Sequence, residues 1–509
     1  MTAWRARALA AAPWLAVLGL AAWSAWHRWH VLTASPHPLG IDGYFYPIQV
    51  RSLLERGHLA YPAAPLTFYL MAAVAAVTDV ITATKLVAAV GGALATVPAY
   101  AIGRRLGGIA GGLAAAALVA TSGGSFYLSC EFVKNGVGLT VALGAVWAGL
   151  RALERPTRGA LAVAALAVLA ALLTHKMAAA LVAALLAPAA VVELRARRGA
   201  AVWRWAAIAA AALVVVAVVL GTLWPERFVA GRDLGELSEA FGAAPRSHLP
   251  AMYIDHGRGR VFELRLGEDA PIAAGLVVLA LVLAALGRLR LLPPSTVRPA
   301  DRAAMVSAAV VVVVTAIPYL AVADPDGLGF RLRVAVFAPA ALVAAWAVGR
   351  AAARLAPALA VAVVAPVLTV YVATTEPEPR EGLVVAHPAL VAGMLALDGR
   401  LPPDAVVITS ERHLGFMAAW YARVPVRMRP EPVPPARRWR LLAGNRIELG
   451  SPLDKALRAA RAQPDLVAPI GLHPWDPDGL VVVPEATWTW VLTQVPPPVA
   501  RYWRRWPTR

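Results

Sequence analysis

The chain is best understood from the stretch Leu39-Gly40-Ile41-Asp42-Gly43-Tyr44-Phe45-Tyr46-Pro47, which follows its first long apolar run. The stretch opens a segment of mixed polarity that continues to Leu59. Asp42 stands between glycine and aromatic residues, at a predicted boundary between membrane and water. A carboxylate at such a boundary costs free energy unless it has a partner or a task. The stretch is therefore a candidate functional site, and the apolar run before it indicates a membrane protein.

The composition indicates a helical protein with many membrane spans. Of the 509 residues, 59% are hydrophobic and 15% are charged, and the mean hydropathy is +0.63. These values exclude an ordinary soluble enzyme. The net charge of +18 is explained by arginines between the apolar runs, so nucleic acid is not an expected partner. The single cysteine, Cys130, excludes an intramolecular disulfide.

Apolar runs predict eleven membrane-spanning helices, at 9–26, 81–102, 106–121, 137–150, 161–173, 177–192, 205–223, 272–286, 303–321, 334–348 and 355–372. Arginine clusters occupy every second connection, and the positive-inside rule places these connections and the N-terminus in the cytoplasm. Between residues 161 and 192 the chain must cross twice, because a single helix of that length would be about 48 Å long. We therefore predict a tight turn at His175-Lys176 on the outer face.

Each span carries the chain to the other side of the membrane. The order of the spans therefore predicts a transmembrane domain at 1–374, with extracytoplasmic loops at 27–80, 122–136, 224–271 and 322–333. Residues 64–77 are apolar but short, and are predicted to form an interfacial or re-entrant helix. Short β-like runs at 405–410, 424–428, 466–470 and 480–483, with a helix at 452–462, predict a small extracytoplasmic α/β domain at 375–509. The predicted fold class is an α-helical polytopic protein of the inner or plasma membrane with a small C-terminal α/β domain.

Asp42 is the first candidate for chemistry. One interpretation is that it caps the N-terminus of the helix that contains Gln49 and Leu53. The other is a catalytic role, favoured by the neighbouring aromatic residues and by other polar groups predicted on the same face of the membrane. In the second interpretation, Tyr44 and Tyr46 contact the substrate.

The second outer loop and the predicted turn supply further candidates. Glu131 and Lys134 either form a local ion pair or act in function, Glu131 assisting Asp42 and Lys134 neutralising a phosphate. His175 and Lys176 are either structural or bind an anionic ligand, since charge at this depth generally marks a ligand pathway. A divalent cation, Mg²⁺ or Mn²⁺, held by Asp42 and Glu131 is the cofactor that these acids suggest, but they are too scattered to specify a metal site.

Later loops add four candidates. Arg331 and Arg333 lie on the predicted outer face against the positive-inside trend, which suits bidentate binding of a phosphate. Alternatively, Arg331 pairs with Asp324 or Asp326. Tyr253 and His256 lie in a long loop that is compatible with substrate binding and equally with a solvated lid.

The region from residue 1 to residue 158 resembles the GT-C superfamily of glycosyltransferases. That superfamily includes the catalytic subunit of oligosaccharyltransferase, protein O-mannosyltransferases and lipid A aminoarabinose transferases. The resemblance rests on Asp42-Gly43-Tyr44, followed by Val50-Arg51, Leu54 and Gly57; on the embedded segment 66–77; and on Gly103-Arg104-Arg105 and Ser125-Phe126-Tyr127. Two features of the oligosaccharyltransferase type are missing, namely a pair of acids in the second outer loop and a Trp-Trp-Asp motif in the terminal domain. Their absence favours a transferase of smaller donors.

The resemblance implies an inverting transfer of sugar from a polyprenyl-phosphate-linked donor to an extracytoplasmic glycan, lipid or protein. Asp42 would act as the general base or bind the acceptor. Arg331 or Arg333 would contact the donor phosphate, as Lys134, His175 and Lys176 would by their charge. The alternatives are a transporter or flippase of lipid-linked sugars, a polymerase or ligase of surface polysaccharide, and a binding module.

Overall fold

The computed structural model describes residues 3–197, 215, 260–290, 292, 296–316, 334–352, 386–427, 433–472 and 479–504. The chain divides into two compact units. Unit 1 comprises Met1–Ala34 and Tyr61–Arg380, and unit 2 comprises Ser35–Ala60 and Glu381–Arg509. The boundary predicted between residues 374 and 375 lies outside the described residues. The segment that carries Asp42 thus belongs to the same unit as the C-terminal region.

Unit 1 is helical throughout its described residues. Its helices are α1 (Ala3–Thr33), α3 (Leu66–Ala75), α4 (Val80–Ala93), α5 (Thr96–Thr121), α6 (Gly123–Cys130), α7 (Val133–Glu154), α8 (Arg158–Thr174), α9 (Lys176–Ala196), α10 (Arg260–Arg288), α11 (Pro299–Ala316) and α12 (Phe337–Ala351). By length and composition, three helical stretches in the described part of the chain are suited to cross a membrane: Val80–Thr121, Val133–Glu154 and Lys176–Ala196. The number of spans stays a prediction, because those at 205–223 and 355–372 fall outside the described residues.

The breaks between helices refine the predicted boundaries. The predicted break at His175 is confirmed, since α8 ends at Thr174 and α9 begins at Lys176. The expected span at 81–102 is wrong in detail, because α4 ends at Ala93 and α5 begins at Thr96. The change of direction lies at Gly107 and Gly108, which have non-helical backbone angles inside α5. Gly108 has a φ of +66°, a conformation that glycine adopts without steric cost.

Glycine also brings α5 and α12 into backbone contact. A Cβ on Gly107 would overlap Ala345 O and lie 2.9 Å from Gly349 Cα, and a Cβ on Gly111 would overlap the same carbonyl. Small residues at helix interfaces allow this close approach, and in lipid the resulting van der Waals contact is a main source of helix association. The described core of unit 1 is accordingly rich in alanine on α5, α7 and α12.

Ion pairs join the helices of unit 1 at one end. Arg105 contacts Glu154 at 2.7 Å and the buried Asp301 at 3.0 Å. Arg298 lies 3.6 Å from Glu154 and 3.5 Å from Glu193. Glu154 is the last residue of α7, a helix of 22 residues, so this network lies about 33 Å along the helix from its first turn. The end predicted to be cytoplasmic therefore has its arginines paired with acids.

Unit 2 contains a five-stranded mixed sheet in the order β2-β1-β3-β5-β4. Its elements are α2 (Phe45–Arg56), α13 (Pro388–Leu395), β1 (Val406–Ile408), α14 (Arg412–Tyr421), β2 (Val426–Arg427), β3 (Arg438–Ala443), α15 (Pro452–Arg461), β4 (Ile470–Leu472), β5 (Leu480–Pro484), α16 (Glu485–Thr493) and α17 (Pro497–Arg504). Strand β1 pairs in parallel with β2 and β3, whereas β5 is antiparallel to β3 and β4. In the described residues a helix separates β1 from β2 and β3 from β4, whereas β3 follows β2 and β5 follows β4 without an α-helix between them.

Strand β3 is the element that the sequence did not predict, although it is the central strand. Its first residues, Arg438-Trp439-Arg440, have the charge of a surface loop. Arg440 is nevertheless buried, and its Nε and Nη2 donate to the two carboxylate oxygens of Glu485 at 2.7 and 2.9 Å. A bidentate pair of this kind allows a guanidinium to enter a core. The predicted strand at 466–470 is also displaced, since β4 begins at Ile470.

Candidate functional site

Asp42 lies in a tight turn that two glycines make possible. Gly40 has a φ of +82°, which favours glycine. A Cβ on Gly43 would lie 2.5 Å from Leu39 O and 3.1 Å from Gly40 O. The backbone N–H of Gly43 donates to Gly40 O, and that of Phe45 donates to Asp42 O. The backbone of Asp42 is therefore held on both sides, and its side chain is half-buried.

The helix-cap interpretation of Asp42 is wrong. Helix α2 begins at Phe45, its N-cap is Tyr44, and the Tyr44 side chain makes no capping hydrogen bond. Asp42 precedes that cap by two residues. The tight turn at Asp42 is therefore not needed to begin α2. A chemical role for the Asp42 carboxylate stays a prediction.

Tyr44 connects the Asp42 turn to α14 within unit 2. Its hydroxyl lies 2.6 Å from the hydroxyl of Tyr421 and 3.1 Å from His37 Nδ1, and Tyr421 lies 3.2 Å from the same nitrogen. Burial, and then the hydrogen bond to Tyr421, raise the pKa of Tyr44, and burial raises the pKa of Tyr421. Both phenols therefore stay protonated at neutral pH, and His37 Nδ1 lies within hydrogen-bond distance of both hydroxyl groups.

Arg51 makes a second connection to the same helix. Its Nη1 donates to Trp420 O at 2.8 Å and its Nη2 donates to Ala419 O at 2.7 Å, while the guanidinium carbon lies 4.5 Å from the centre of the Trp420 ring. Carbonyls in the last turn of a helix have no partner within the helix and carry its negative dipole end. Arg51 donates hydrogen bonds to two of these carbonyls and places its positive charge at the negative end of the helix dipole. The contribution of Tyr421 and Trp420 was missed by sequence reasoning, because nothing in their own segment points to residues 370 positions earlier.

Tyr44 and Tyr46, predicted to contact substrate, are both buried in unit 2. Tyr46 packs edge-to-face against Phe45, with ring centres 5.5 Å apart. The structure thus gives both rings a packing role, and their contact with substrate stays a prediction.

Glu131 belongs to unit 1, where it is buried at the end of α6. The charged residue beneath this helix is Arg28 of α1, which is only 1% exposed. Arg28 donates from Nε to Ser129 Oγ at 3.1 Å and from Nη2 to Ser125 Oγ at 2.7 Å, and its Nη1 contacts Ser24 Oγ. Arg28 therefore fastens α6 to α1 and holds the segment that leads to Glu131 and Lys134. The role of Glu131 in catalysis stays a prediction.

Space for this arrangement is provided by Gly92 of α4. A Cβ on Gly92 would lie 2.5 Å from Ser129 Oγ and 3.3 Å from Arg28 Nε. Sequence reasoning missed Arg28, because the first span was predicted to end at residue 26 and Arg28 fell in the predicted outer loop 27–80. Helix α1 in fact continues to Thr33, which places Arg28 inside the helix.

Lys134 and His175 lie at the same end of the helices of unit 1. Lys134 is in the first turn of α7, and its Nζ lies 5.5 Å from the centre of the buried Phe68 ring of α3. Gly138 follows one turn later on the same face of α7. A Cβ built on Gly138 would lie 3.4 Å from His175 Cβ and 3.2 Å from Ala178 Cβ. The start of α7 therefore packs against the start of α9, and a shared role of Lys134 and His175 in substrate binding stays a prediction.

His175 forms the N-cap of α9. Its Nδ1 accepts a hydrogen bond from the backbone N–H of Met177 at 3.1 Å, which places the proton of the neutral ring on Nε2. The next residue, Lys176, is exposed. The N-termini of α7 and α9 thus carry Lys134 and Lys176. The positive charges of these side chains add to the positive dipole ends of the two helices at this end of unit 1.

The remaining predicted residues cannot be placed. Arg331 and Arg333, and Tyr253 and His256, lie outside the described residues. Within the described ranges, no group of three or more His, Cys, Asp and Glu side chains is arranged to hold a metal ion. Asp42 and Glu131, the predicted pair of ligands, belong to different units. A metal ion held by Asp42 and Glu131 stays a prediction, and we derive no step through one.

The comparisons with known proteins agree with the resemblance found in the sequence. Residues 62–221 match the model of the dolichyl-phosphate-mannose-protein mannosyltransferase family. The fold is similar to that of the oligosaccharyltransferase of Archaeoglobus fulgidus in its apo form, with a TM-score of 0.56 and 12% identity over 84% of this chain and 70% of that one. Residues 62–221 thus resemble a mannosyltransferase family, and the chain has the fold of an oligosaccharyltransferase.

The chain also aligns with ArnT from Cupriavidus metallidurans in two states. The apo structure gives a TM-score of 0.42 and 15% identity over 94% of this chain and 99% of that one. The structure bound to undecaprenyl phosphate gives a TM-score of 0.42 and 14% identity, over 94% of this chain and 98% of that one. No curated protein matches the chain by sequence.

Proposed function

We propose that this glycosyltransferase moves a sugar from a polyprenyl-phosphate-linked donor to an extracytoplasmic acceptor, with inversion at the anomeric carbon. The observation that carries the proposal is the cationic end of unit 1, formed by Lys134, His175 and Lys176 at the starts of α7 and α9. Beside it lies α3, an apolar helix whose Phe68 contacts Lys134. A cationic group next to an apolar helix suits a ligand that has a phosphate on a hydrocarbon tail.

The donor class has independent support from the matched family, whose description names a dolichyl-phosphate-linked mannose as donor. In the proposed reaction, Asp42 accepts the proton of an acceptor hydroxyl as its oxygen attacks the anomeric carbon. The bond from that carbon to the phosphate oxygen breaks on the opposite face, and the polyprenyl phosphate leaves with the bonding electrons. Lys134, Lys176 and Nε2–H of His175 stabilise the charge that develops on the phosphate.

The proposal is tested with the purified full-length protein in lipid and a panel of polyprenyl-phosphate sugars. We expect release of free polyprenyl phosphate with at least one sugar, and a product of inverted anomeric configuration. A product with retained configuration would contradict direct displacement. Movement of intact donor across the bilayer without release of polyprenyl phosphate would indicate a flippase instead.

Replacing Lys134 by Met is expected to lower kcat/KM for the lipid donor by about 10- to 100-fold, since a hydrogen bond to a charged group contributes about 1.5–3 kcal/mol. Met keeps an apolar side chain of similar length over Phe68, so packing changes little. The measurement is initial rate against donor concentration. The matched control is Lys455→Met, which removes an exposed lysine of α15 in unit 2 and should leave both constants unchanged. Equal kinetics for the two variants would exclude Lys134 from the phosphate site.

A further inference from the structure

Unit 2 unites two segments of chain that are separated by more than 300 residues. The short N-terminal segment contains the Asp42 turn and α2. It packs against α14 through three side-chain groups that are near one another on the chain. Tyr44 bonds to Tyr421, Arg51 bonds to the carbonyls of Ala419 and Trp420, and the Phe45 and Phe416 rings lie 5.4 Å apart. One face of α2 is thus attached to one helix of the terminal region.

Helix α14 is itself a rigid support. It follows β1, and its Leu414, Met417 and Ala418 are fully buried. Strand β1 lies between β2 and β3 in the sheet. A helix anchored in this way holds its last turn, which includes Trp420 and Tyr421, in a fixed place relative to the sheet.

The last turn of α14 also determines where Asp42 lies. Tyr44 is the N-cap of α2 and is separated from Asp42 by Gly43 alone. Gly43 has no room for a side chain, and Phe45 N–H bonds to Asp42 O at 3.0 Å. Because the turn has so little freedom, fixing the Tyr44 hydroxyl also fixes the backbone of Asp42. Catalytic groups depend on such support, because a displacement of about 1 Å can lower a rate by about 100-fold.

We propose that the terminal α/β unit of this glycosyltransferase positions Asp42, and that Tyr421 is the positioning residue through which α14 holds the Asp42 turn. Arg51 supports the same contact by receiving the carbonyl end of α14. This inference rests on the proposed role of Asp42 as the base. It assigns to the terminal unit a function in the reaction itself, distinct from recognition of the acceptor.

The test compares Tyr421→Phe with the wild type in the full-length protein. Phe keeps the ring beside Tyr44 and removes only the hydroxyl. We expect kcat to fall on the order of tenfold, with KM for the lipid donor unchanged and the thermal midpoint nearly so. Backbone hydrogen exchange in residues 39–45 should rise, since the Tyr44 hydroxyl loses its 2.6 Å partner. The matched control is Tyr502→Phe, a change at a half-exposed tyrosine of α17 in the same unit, which should alter none of these values.

A second variant keeps the inference falsifiable if Tyr421→Phe folds poorly. Arg51→Met should reproduce the selective fall in kcat and the faster exchange in residues 39–45. Its control is Arg437→Met, which removes a guanidinium that bonds the Asp404 carbonyl at 2.8 Å elsewhere in unit 2. Unchanged exchange in residues 39–45 in both variants would overturn the proposal. So would a fall in kcat that is matched by equal losses of global stability and donor affinity.

The two proposals fail in different ways. If Asp42→Asn retains full transfer, the proposed base is wrong, whereas the exchange measurement on residues 39–45 still reports whether α14 holds the turn. If Asp42→Asn is inactive and Tyr421→Phe is indistinguishable from the wild type in both kcat and exchange, the base stands and the positioning role of Tyr421 is wrong.

Discussion

Replacing Asp42 by Asn is expected to abolish sugar transfer while leaving the protein folded. Loss of a positioned general base typically lowers a rate by about 10²- to 10⁴-fold. Asn keeps the size of the side chain and is as compatible with a tight turn as Asp, and it retains the backbone N–H and C=O groups that bond around residue 42. Release of polyprenyl phosphate should therefore fall to background, whereas the thermal midpoint and donor binding should stay close to those of the wild type.

The control for this change is Asp404→Asn. Asp404 also belongs to unit 2, and its side chain is 64% exposed. The substitution therefore removes one carboxylate from unit 2 without affecting the Asp42 turn. It should transfer sugar at the wild-type rate. Full transfer by Asp42→Asn would remove the base from the mechanism and favour a transport or binding role for the lipid-linked sugar.

Replacing Gly107 by Ala is expected to cause a large loss of stability in unit 1. The new methyl group would overlap the carbonyl oxygen of Ala345 and approach Gly349 Cα to 2.9 Å. Both neighbours are backbone atoms, which no side-chain rotation can move, so α5 and α12 must separate. Over-packing a core costs about 1–3 kcal/mol when side chains can adjust, and we expect at least the upper end of that range. The measurement is the thermal midpoint in detergent, together with the yield of monodisperse protein.

Gly144→Ala is the matched control for this substitution. Gly144 also lies in a long helix of unit 1, but no described atom comes within 4 Å of a Cβ built there. Because Ala favours a helix over Gly by about 1 kcal/mol, the midpoint should stay the same or rise. An unaltered midpoint for Gly107→Ala would show that the contact between α5 and α12 contributes little to the stability of unit 1.

Periodicity and charge were sufficient to predict the elements that local chemistry determines. The apolar runs predicted helices α7, α8 and α9. The arginine clusters on both sides of residues 161–192 predicted two membrane crossings between them, and hence the break at His175 that separates α8 from α9. These predictions succeeded because the cost of burying charge in lipid acts on each segment separately. The break near Arg105 was placed a few residues early, because the sequence does not show which of several glycines meets another helix. Gly107 and Gly111 are the two that meet α12.

The candidate site was predictable as a set of residues and only partly as an arrangement. The acid in a glycine-rich stretch identified Asp42, and a charged pair between two apolar runs identified His175 and Lys176. That Lys134 and His175 lie at the same end of unit 1 depends on the packing of α7 against the start of α9. Arg28, which fastens α6, escaped prediction because its partners are serines a hundred residues away.

The sequence by itself predicted a membrane glycosyltransferase with an acid in its first loop, since hydropathy, arginine placement and the local GT-C resemblance are properties of contiguous residues. Only the tertiary structure decided that the Asp42 turn belongs to the terminal unit, and that β3 is its central strand. Both depend on pairs distant along the chain, Tyr44 with Tyr421 and Arg440 with Glu485. The hydrogen bonds within each pair offset the free-energy cost of burying its polar groups. The sequence around either residue does not indicate which distant residue is its partner.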